Sequence, residues 1–226
     1  MARTTVALLL VATATLPLLA GCVGTAQATA MESRSAADEA AARWASDAQL
    51  AQVVGVEGSS SLASMASAFA SSWGGGASDF ERAGEDEEVG DGRAEVWAYR
   101  YLAASKDRSL VVVVDRDGAV LRQGEEGRDA REPTLGEWTV DSDRALALAK
   151  EANEGLRKGT SSEHFGTVAV LARDPGSPRA WWIVAGGGGS LSGGGGGFVK
   201  LDAVSGEVLE SQGGFGSIRD WGAAWG

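Results

Sequence analysis

The clearest pattern of apolar and polar positions in this chain occurs twice. Leu110 to Leu121 (LVVVVDRDGAVL) and Phe198 to Leu209 (FVKLDAVSGEVL) each read as an apolar strand ending in an acid, Asp115 or Asp202. A turn closed by Gly118 or Gly206 follows, and Val-Leu opens a returning strand. Asp can accept hydrogen bonds from nearby backbone amides and Gly tolerates positive φ, so both suit a tight turn between β-branched runs. Ahead of each hairpin lies an aromatic strand, Glu95 to Leu102 (EVWAYRYL) and Ala180 to Ala185 (AWWIVA). Period-two alternation puts Trp97, Tyr99 and Tyr101 on one face, with Trp182 and Val184 in register, so Trp181 and Ile183 emerge on the opposite face. By the same alternation Val112, Val114, Val199 and Leu201 point inward and Lys200 points away.

Helical spacing precedes each set of strands. Ser35 to Ser46 is rich in Ala, with Ala37, Ala40, Ala41 and Trp44 on one face, and the period then changes over Asp47 to Val56, where Leu50, Val54 and Val56 fall on alternate positions. In the second half Ser142 to Arg157 predicts a helix capped by Asp141 or Ser142, its apolar stripe formed by Ala145, Leu148, Ala149, Ala152 and Leu156. A strand at Thr167 to Ala172 follows. Helix and strands in this order, twice, predict an α+β fold of two repeated units, each a helix on one face of an antiparallel sheet. The first unit spans 35–123 with a low-complexity insert at 57–92, the second spans 138–211, and a Gly/Trp tail occupies 212–226. The insert holds serine, glycine and acidic runs, and Leu62, Met65, Phe69 and Trp73 recur in it at helical spacing, so a short amphipathic helix and a mobile stretch both fit. Gly186 to Gly197 predicts a long flexible hairpin loop.

These strands carry a resemblance. Trp97 with Tyr99, Leu110 to Asp115 and Asp117-Gly118-Ala119-Val120 resemble the PepSY family of secreted and membrane-attached bacterial modules. Trp182, Val199 to Asp202 and Ser205-Gly206-Glu207-Val208 resemble a second copy. The likeness covers roughly residues 35 to 211, and the first copy's turn is one residue shorter than the second's. It implies a binding or regulatory module acting on another envelope protein.

The start of the chain adds a location. Met1-Ala2-Arg3 is a short basic start, and Thr4 to Leu19 is an apolar run too short and too interrupted, by Thr and Pro17, for a membrane span. Residues 1–21 therefore read as a signal peptide. Leu19-Ala20-Gly21-Cys22 resembles the lipobox of bacterial lipoproteins, which implies a diacylglyceryl group on the Cys22 thiol and a mature chain starting there. Cys22 is the single cysteine, so no disulfide partner competes for it. Residues 22–34 read as a flexible tether. The expected location is the cell envelope, outside the cytoplasm, with the membrane reached through the lipid on Cys22.

Charge narrows the partners. The formal net charge is -11, and 31 acidic against 20 basic residues argue against nucleic acid, which needs clustered cations. His164 is the only histidine, which argues against the usual nucleophile–base arrangements and against zinc. The acids of Glu85 to Asp91 lack the spacing of a calcium loop, and neither glycine tract ends in the Lys-Ser/Thr of a phosphate loop. We therefore expect no catalytic residues, no metal, no cofactor and no enzymatic activity. What remains is aromatic: Trp181, Ile183, Trp221 and Trp225 are the candidate partner or ligand surface, unless the tail folds back over Trp181. The leading expectation is a non-enzymatic, lipid-anchored protein that binds or regulates another envelope protein; the alternative is a small-ligand or glycan receptor stacking sugars on exposed tryptophans.

Overall fold

The structure, a computed structural model, describes residues 27–58, 90–127, 132–159, 165–188 and 196–213. Its first helix, α1 (Ala30–Trp44), begins five residues earlier than the Ala-rich run predicts. The reason is a capping box: Thr29 Oγ1 accepts from Glu32 N at 3.3 Å, and the Glu32 carboxylate accepts from Thr29 N at 2.8 Å. The tether expected through Arg34 is thereby shortened, since residues from Ala28 onward belong to the folded part. Four strands follow: β1 (Gln49–Gly58), β2 (Val96–Leu102), β3 (Arg108–Asp115) and β4 (Val120–Gly127). The second half supplies α2 (Ser142–Ala152), α3 (Glu154–Gly159), β5 (Phe165–Arg173), β6 (Ala180–Gly188), β7 (Gly196–Asp202) and β8 (Val208–Gly213). The helix predicted through Arg157 is thus two helices. Asn153 separates them, with Nδ2 donating to Gln212 O at 2.8 Å and Oδ1 accepting from Leu156 N, so its side chain ties the break to the edge strand. Ala152, at the break, is exposed; Ala145, Ala149 and Leu156 of the predicted stripe are buried, whereas Leu148 is only half-buried and Leu146, outside the stripe, is buried.

All eight strands form one antiparallel sheet in the order β4-β3-β2-β1-β5-β6-β7-β8. The halves meet where β1 pairs with β5, Val54 opposite Val170. Each half is a meander, and the fold class is α+β. Among the described residues, no helix is long and apolar enough to cross a membrane.

The helices share one face of the sheet. Under them lie Trp97, Tyr99, Tyr101, Val112, Val114, Trp182, Val184, Val199 and Leu201, the inward positions that alternation predicts. The indole of Trp97 donates to Ala28 O at 2.8 Å and that of Trp182 to Val140 O at 2.7 Å, each carbonyl belonging to the residue just before a helix cap. Burying a tryptophan requires a partner for its N–H, and the chain entering each helix supplies it. The opposite sheet face gathers Val54, Val56, Val96, Ala98, Val111, Val113, Val168 and Val170, each at most 6% exposed. Leu50 does not join Val54 and Val56 as its parity predicts. A bulge between Leu50 and Gln52 shifts the register, so Leu50 packs on the helix side.

Both hairpin turns keep their predicted chemistry despite the difference in length. Asp115 Oδ1 accepts from Asp117 N and Ala119 N, and Asp202 Oδ1 accepts from Val204 N and Ser205 N. Gly118 and Gly206 hold φ of 78° and 74°, conformations that cost little only for glycine.

Candidate functional site

The helix face carries a cleft where the C-terminal half of α1 runs past β1 and the segment 132–140. A stripe of small residues, Ala41, Ala42, Ala45 and Ala48, leaves room there, and the cavity of about 410 Å³ is also lined by Arg34, Asp38, Gln49, Tyr101 and Thr134. Its polar wall is held from three elements. Tyr101 on β2 donates to Asp38 Oδ1 at 2.7 Å, and Arg34 Nε stands one helical turn away, 3.0 Å from Asp38 Oδ2, though its N–H is poorly aligned for a hydrogen bond. The Arg34 guanidinium also lies 5.8 Å from the ring centroid of Trp138, which itself packs edge-on against Trp182. Burial, then the neighbouring Asp38 carboxylate, raises the Tyr101 phenol well above its usual range, so it stays a neutral donor. The cleft thus offers a half-exposed cation, a half-exposed carboxylate and a phenol over an apolar floor.

A second cluster lies under the end of β1. Glu57 is 4% exposed and accepts from Gly90 N at 2.7 Å; Lys150 on α2 donates to Gly90 O. Desolvation pushes its carboxyl up to about 8, with the Asp91 charge adding to the rise and the bonds from Gly90 and Thr167 and the charge of Lys150 opposing it. Nearby, Ser142 Oγ donates to Gly92 O at 2.6 Å and accepts from Ala30 N, so the start of α2, the start of α1 and the chain entering β2 are locked together. The cluster ties Gly90 and Gly92 to the end of β1 and to α2.

Of the predicted aromatic surface, the described residues include Trp181 and Ile183. Trp181 takes the outer face, as alternation predicts, but it is only 6% exposed. The Lys200 ammonium lies 4.4 Å from its ring centroid and is steadied by Asp174 at 3.2 Å. A ring this buried leaves little face for a sugar to stack on; coverage of Trp181 is one of the two expectations, and the tail expected to supply it lies beyond Gly213, outside the described residues. Ile183 is half-buried. Trp221, Trp225, Cys22 and His164 lie outside the described residues, as do Leu62, Met65, Phe69 and Trp73. At the other side of the outer face Arg100, 7% exposed, donates to Ser109 Oγ, Glu132 Oε1 and Gly127 O. This ties Glu132 and the end of β4 to the sheet.

No protein-family model matches the chain, and no curated protein does. One solved structure is similar. It is the crystal structure of a "putative lipoprotein" from Clostridium difficile 630, at 11% identity and a TM-score of 0.46, with 83% of this chain and 93% of that one covered. Among the described residues, no group of three or more His, Cys, Asp or Glu side chains is placed to hold a metal ion.

Sequence reasoning placed Tyr101 under the helix but missed its partners. Arg34 falls in the stretch read as tether, and Asp38 is one acid among many on a helix. The one available signal was the i, i+4 spacing of Arg34 and Asp38. Glu57 gave no signal, because nothing local distinguishes a buried acid from a solvated one at a strand end.

Proposed function

We propose that this chain is a lipid-anchored protein of the cell envelope, attached through Cys22, whose tandem PepSY-like units bind or regulate another envelope protein without catalysing a reaction. The observation that carries the reading is the Leu-Ala-Gly-Cys sequence at the end of an apolar segment, with a folded α+β module beginning at Ala28 only a few residues later. The order of one helical region and then four strands in each half, with the Trp97 and Trp182 indoles bound in the same way, supports treating the halves as two copies of the resembled unit. Site-directed crosslinking in envelope membranes tests it. Enrichment of one envelope protein, lost with Arg34→Ala or Asp38→Ala, is expected; turnover of a substrate by the purified mature protein, abolished by one carboxylate substitution, would refute it.

A second reading rests on the cleft. Its volume suits a small polar ligand, held between Arg34 and Asp38 over the alanine floor. The version that stacks glycans on tryptophan is weakened at Trp181, whose ring is only 6% exposed and has the Lys200 ammonium beside it. A cell-wall sugar or peptide that raises the melting temperature of the wild type but not of Asp38→Ala would favour the small-ligand reading over the protein partner.

A further inference from the structure

Lipid attachment at Cys22, on which this inference rests, has a geometric consequence for the folded part. The chain is held to the fold at Gln27, whose carbonyl accepts from Arg93 Nε at 3.1 Å, and at Ala28, whose N–H donates to Ala94 O at 3.3 Å and whose carbonyl accepts from Ala94 N at 3.0 Å and from the Trp97 indole. Five residues lie between Cys22 and Ala28, so the six residue steps, even fully extended, span no more than about 21 Å. The lipid therefore holds the domain by one end. Ala94 lies at the start of β2, and antiparallel pairing places the end of β3, with the Asp115 to Gly118 turn, beside it. From there β2 and β3 run to the Ala103 to Asp107 turn, and seven residue steps of β3 put that turn about 23 Å further from the anchor. The helix α1 points the same way, so the cleft between Arg34, Asp38 and Tyr101 lies toward the distal end.

We propose that the end of the sheet carrying the Ala28–Ala94 bridge and the Asp115 to Gly118 turn is the membrane-facing surface, and that the Ala103 to Asp107 turn and the alanine-floored cleft are presented away from the lipid. The tether imposes this arrangement, not charge. Arg93 is paired with Glu32 at 2.7 Å and Arg116 with Glu95 at 3.2 Å, so these arginines of the lipid-facing end are already matched by acids. Adsorption to anionic headgroups would need unmatched cations and would weaken with salt.

The test uses the lipidated full protein on phosphatidylcholine vesicles containing an acceptor-labelled lipid. The Cys22 thiol is consumed by the lipid, so a donor dye goes only to the introduced cysteine in Asp117→Cys or in Asp107→Cys, both exposed positions. Energy transfer is expected to be greater from position 117 than from position 107, and to be unchanged by added salt. Inserting a flexible Gly-Ser stretch of about thirty residues between Cys22 and Gln27 is expected to abolish the difference, because a coil of that length reaches past the domain. Equal or reversed transfer on floating vesicles would overturn the orientation while leaving the anchor intact. Failure to float with vesicles would instead overturn the lipid attachment, and the orientation with it.

Discussion

Replacing Glu57 with glutamine should change not only the stability of this protein but its dependence on pH. Gln keeps the shape and an oxygen to accept from Gly90 N, and it removes the ionisable group. In the fold the Glu57 carboxyl titrates near 8, because burial penalises the charged form more than Gly90, Thr167 and Lys150 favour it. In the unfolded chain it titrates near the ordinary glutamate value of 4.5. Between those values the folded state holds the proton and the unfolded state does not. Stability contributed by this site is therefore full below the unfolded value, falls as pH rises through the window, and levels off above the folded value. At one pKa unit per 1.36 kcal/mol, the wild type loses about 3 kcal/mol by pH 7 and about 5 kcal/mol once the folded site has titrated. Glu57→Gln loses neither. Urea melts of both proteins at roughly one-unit steps between about pH 5 and pH 9 give the difference in unfolding free energy at each pH. That difference should move in favour of Gln by about 1.4 kcal/mol per unit across the window. Any constant cost of the amide cancels from the slope. A flat difference would refute the reasoning, because that is the outcome if the Lys150 ammonium outweighs desolvation and keeps Glu57 ionised across this range.

Other outcomes follow from the packing. Gly55→Ala should destabilise severely or abolish folding, because a Cβ there would sit 2.3 Å from the buried Trp97 ring; a melting temperature within a few degrees of wild type would refute that account. Val199→Ala should cost about 1 to 3 kcal/mol through lost burial and a cavity under the helices. Lys200→Ala should cost less, about 1 kcal/mol, from its cation–π contact with Trp181; the reverse ranking in parallel melts would put the β7 register off by one residue. Thr29→Ala should lower stability by about 1 kcal/mol through loss of the α1 cap, read by urea denaturation. Cys22→Ser should leave the protein unlipidated and without detergent partitioning, checked by mass spectrometry of the mature N-terminus.

What could be read from the sequence divides along a physical line. Period-two alternation is local, and it placed Val112, Val114, Val199, Leu201 and the aromatic trio of β2 correctly on the helix side. Turn chemistry is equally local, so Asp115 and Asp202 hold the turns their neighbours imply. The failures come where a distant segment changes a local rule. The bulge at Leu50 to Gln52 reverses the facing of half a strand, and Leu135, whose N–H donates to Leu50 O, is some eighty residues away. The start of α1 was legible in principle from Thr29 and Glu32, but those residues lay in a stretch whose Ala and Thr content reads as linker. Alternation assigned Trp181 a face without giving its exposure, and Lys200 on β7, held by Asp174, lies against its ring.

The same line explains why function was harder to read than fold. A sheet face is specified by many residues in one strand, each reinforcing the next, whereas the cleft is specified by Arg34, Asp38 and Tyr101 meeting across an alanine stripe. Those alanines look like simple helix propensity in the sequence; in the fold their small volume is what keeps the space open. If that space has a partner, its occupancy should be sensitive to volume before it is sensitive to charge. Ala41 is 2% exposed and belongs to the core, so a larger residue there would strain the fold. Ala42 is exposed and lines the same cleft. Ala42→Leu therefore fills the cavity at little cost to stability, and it should weaken binding of a ligand or partner seated there while leaving the melting curve within about 0.5 kcal/mol of wild type. Undiminished binding by a stably folded Ala42→Leu would move the interaction surface away from the cleft, whatever Arg34→Ala and Asp38→Ala do.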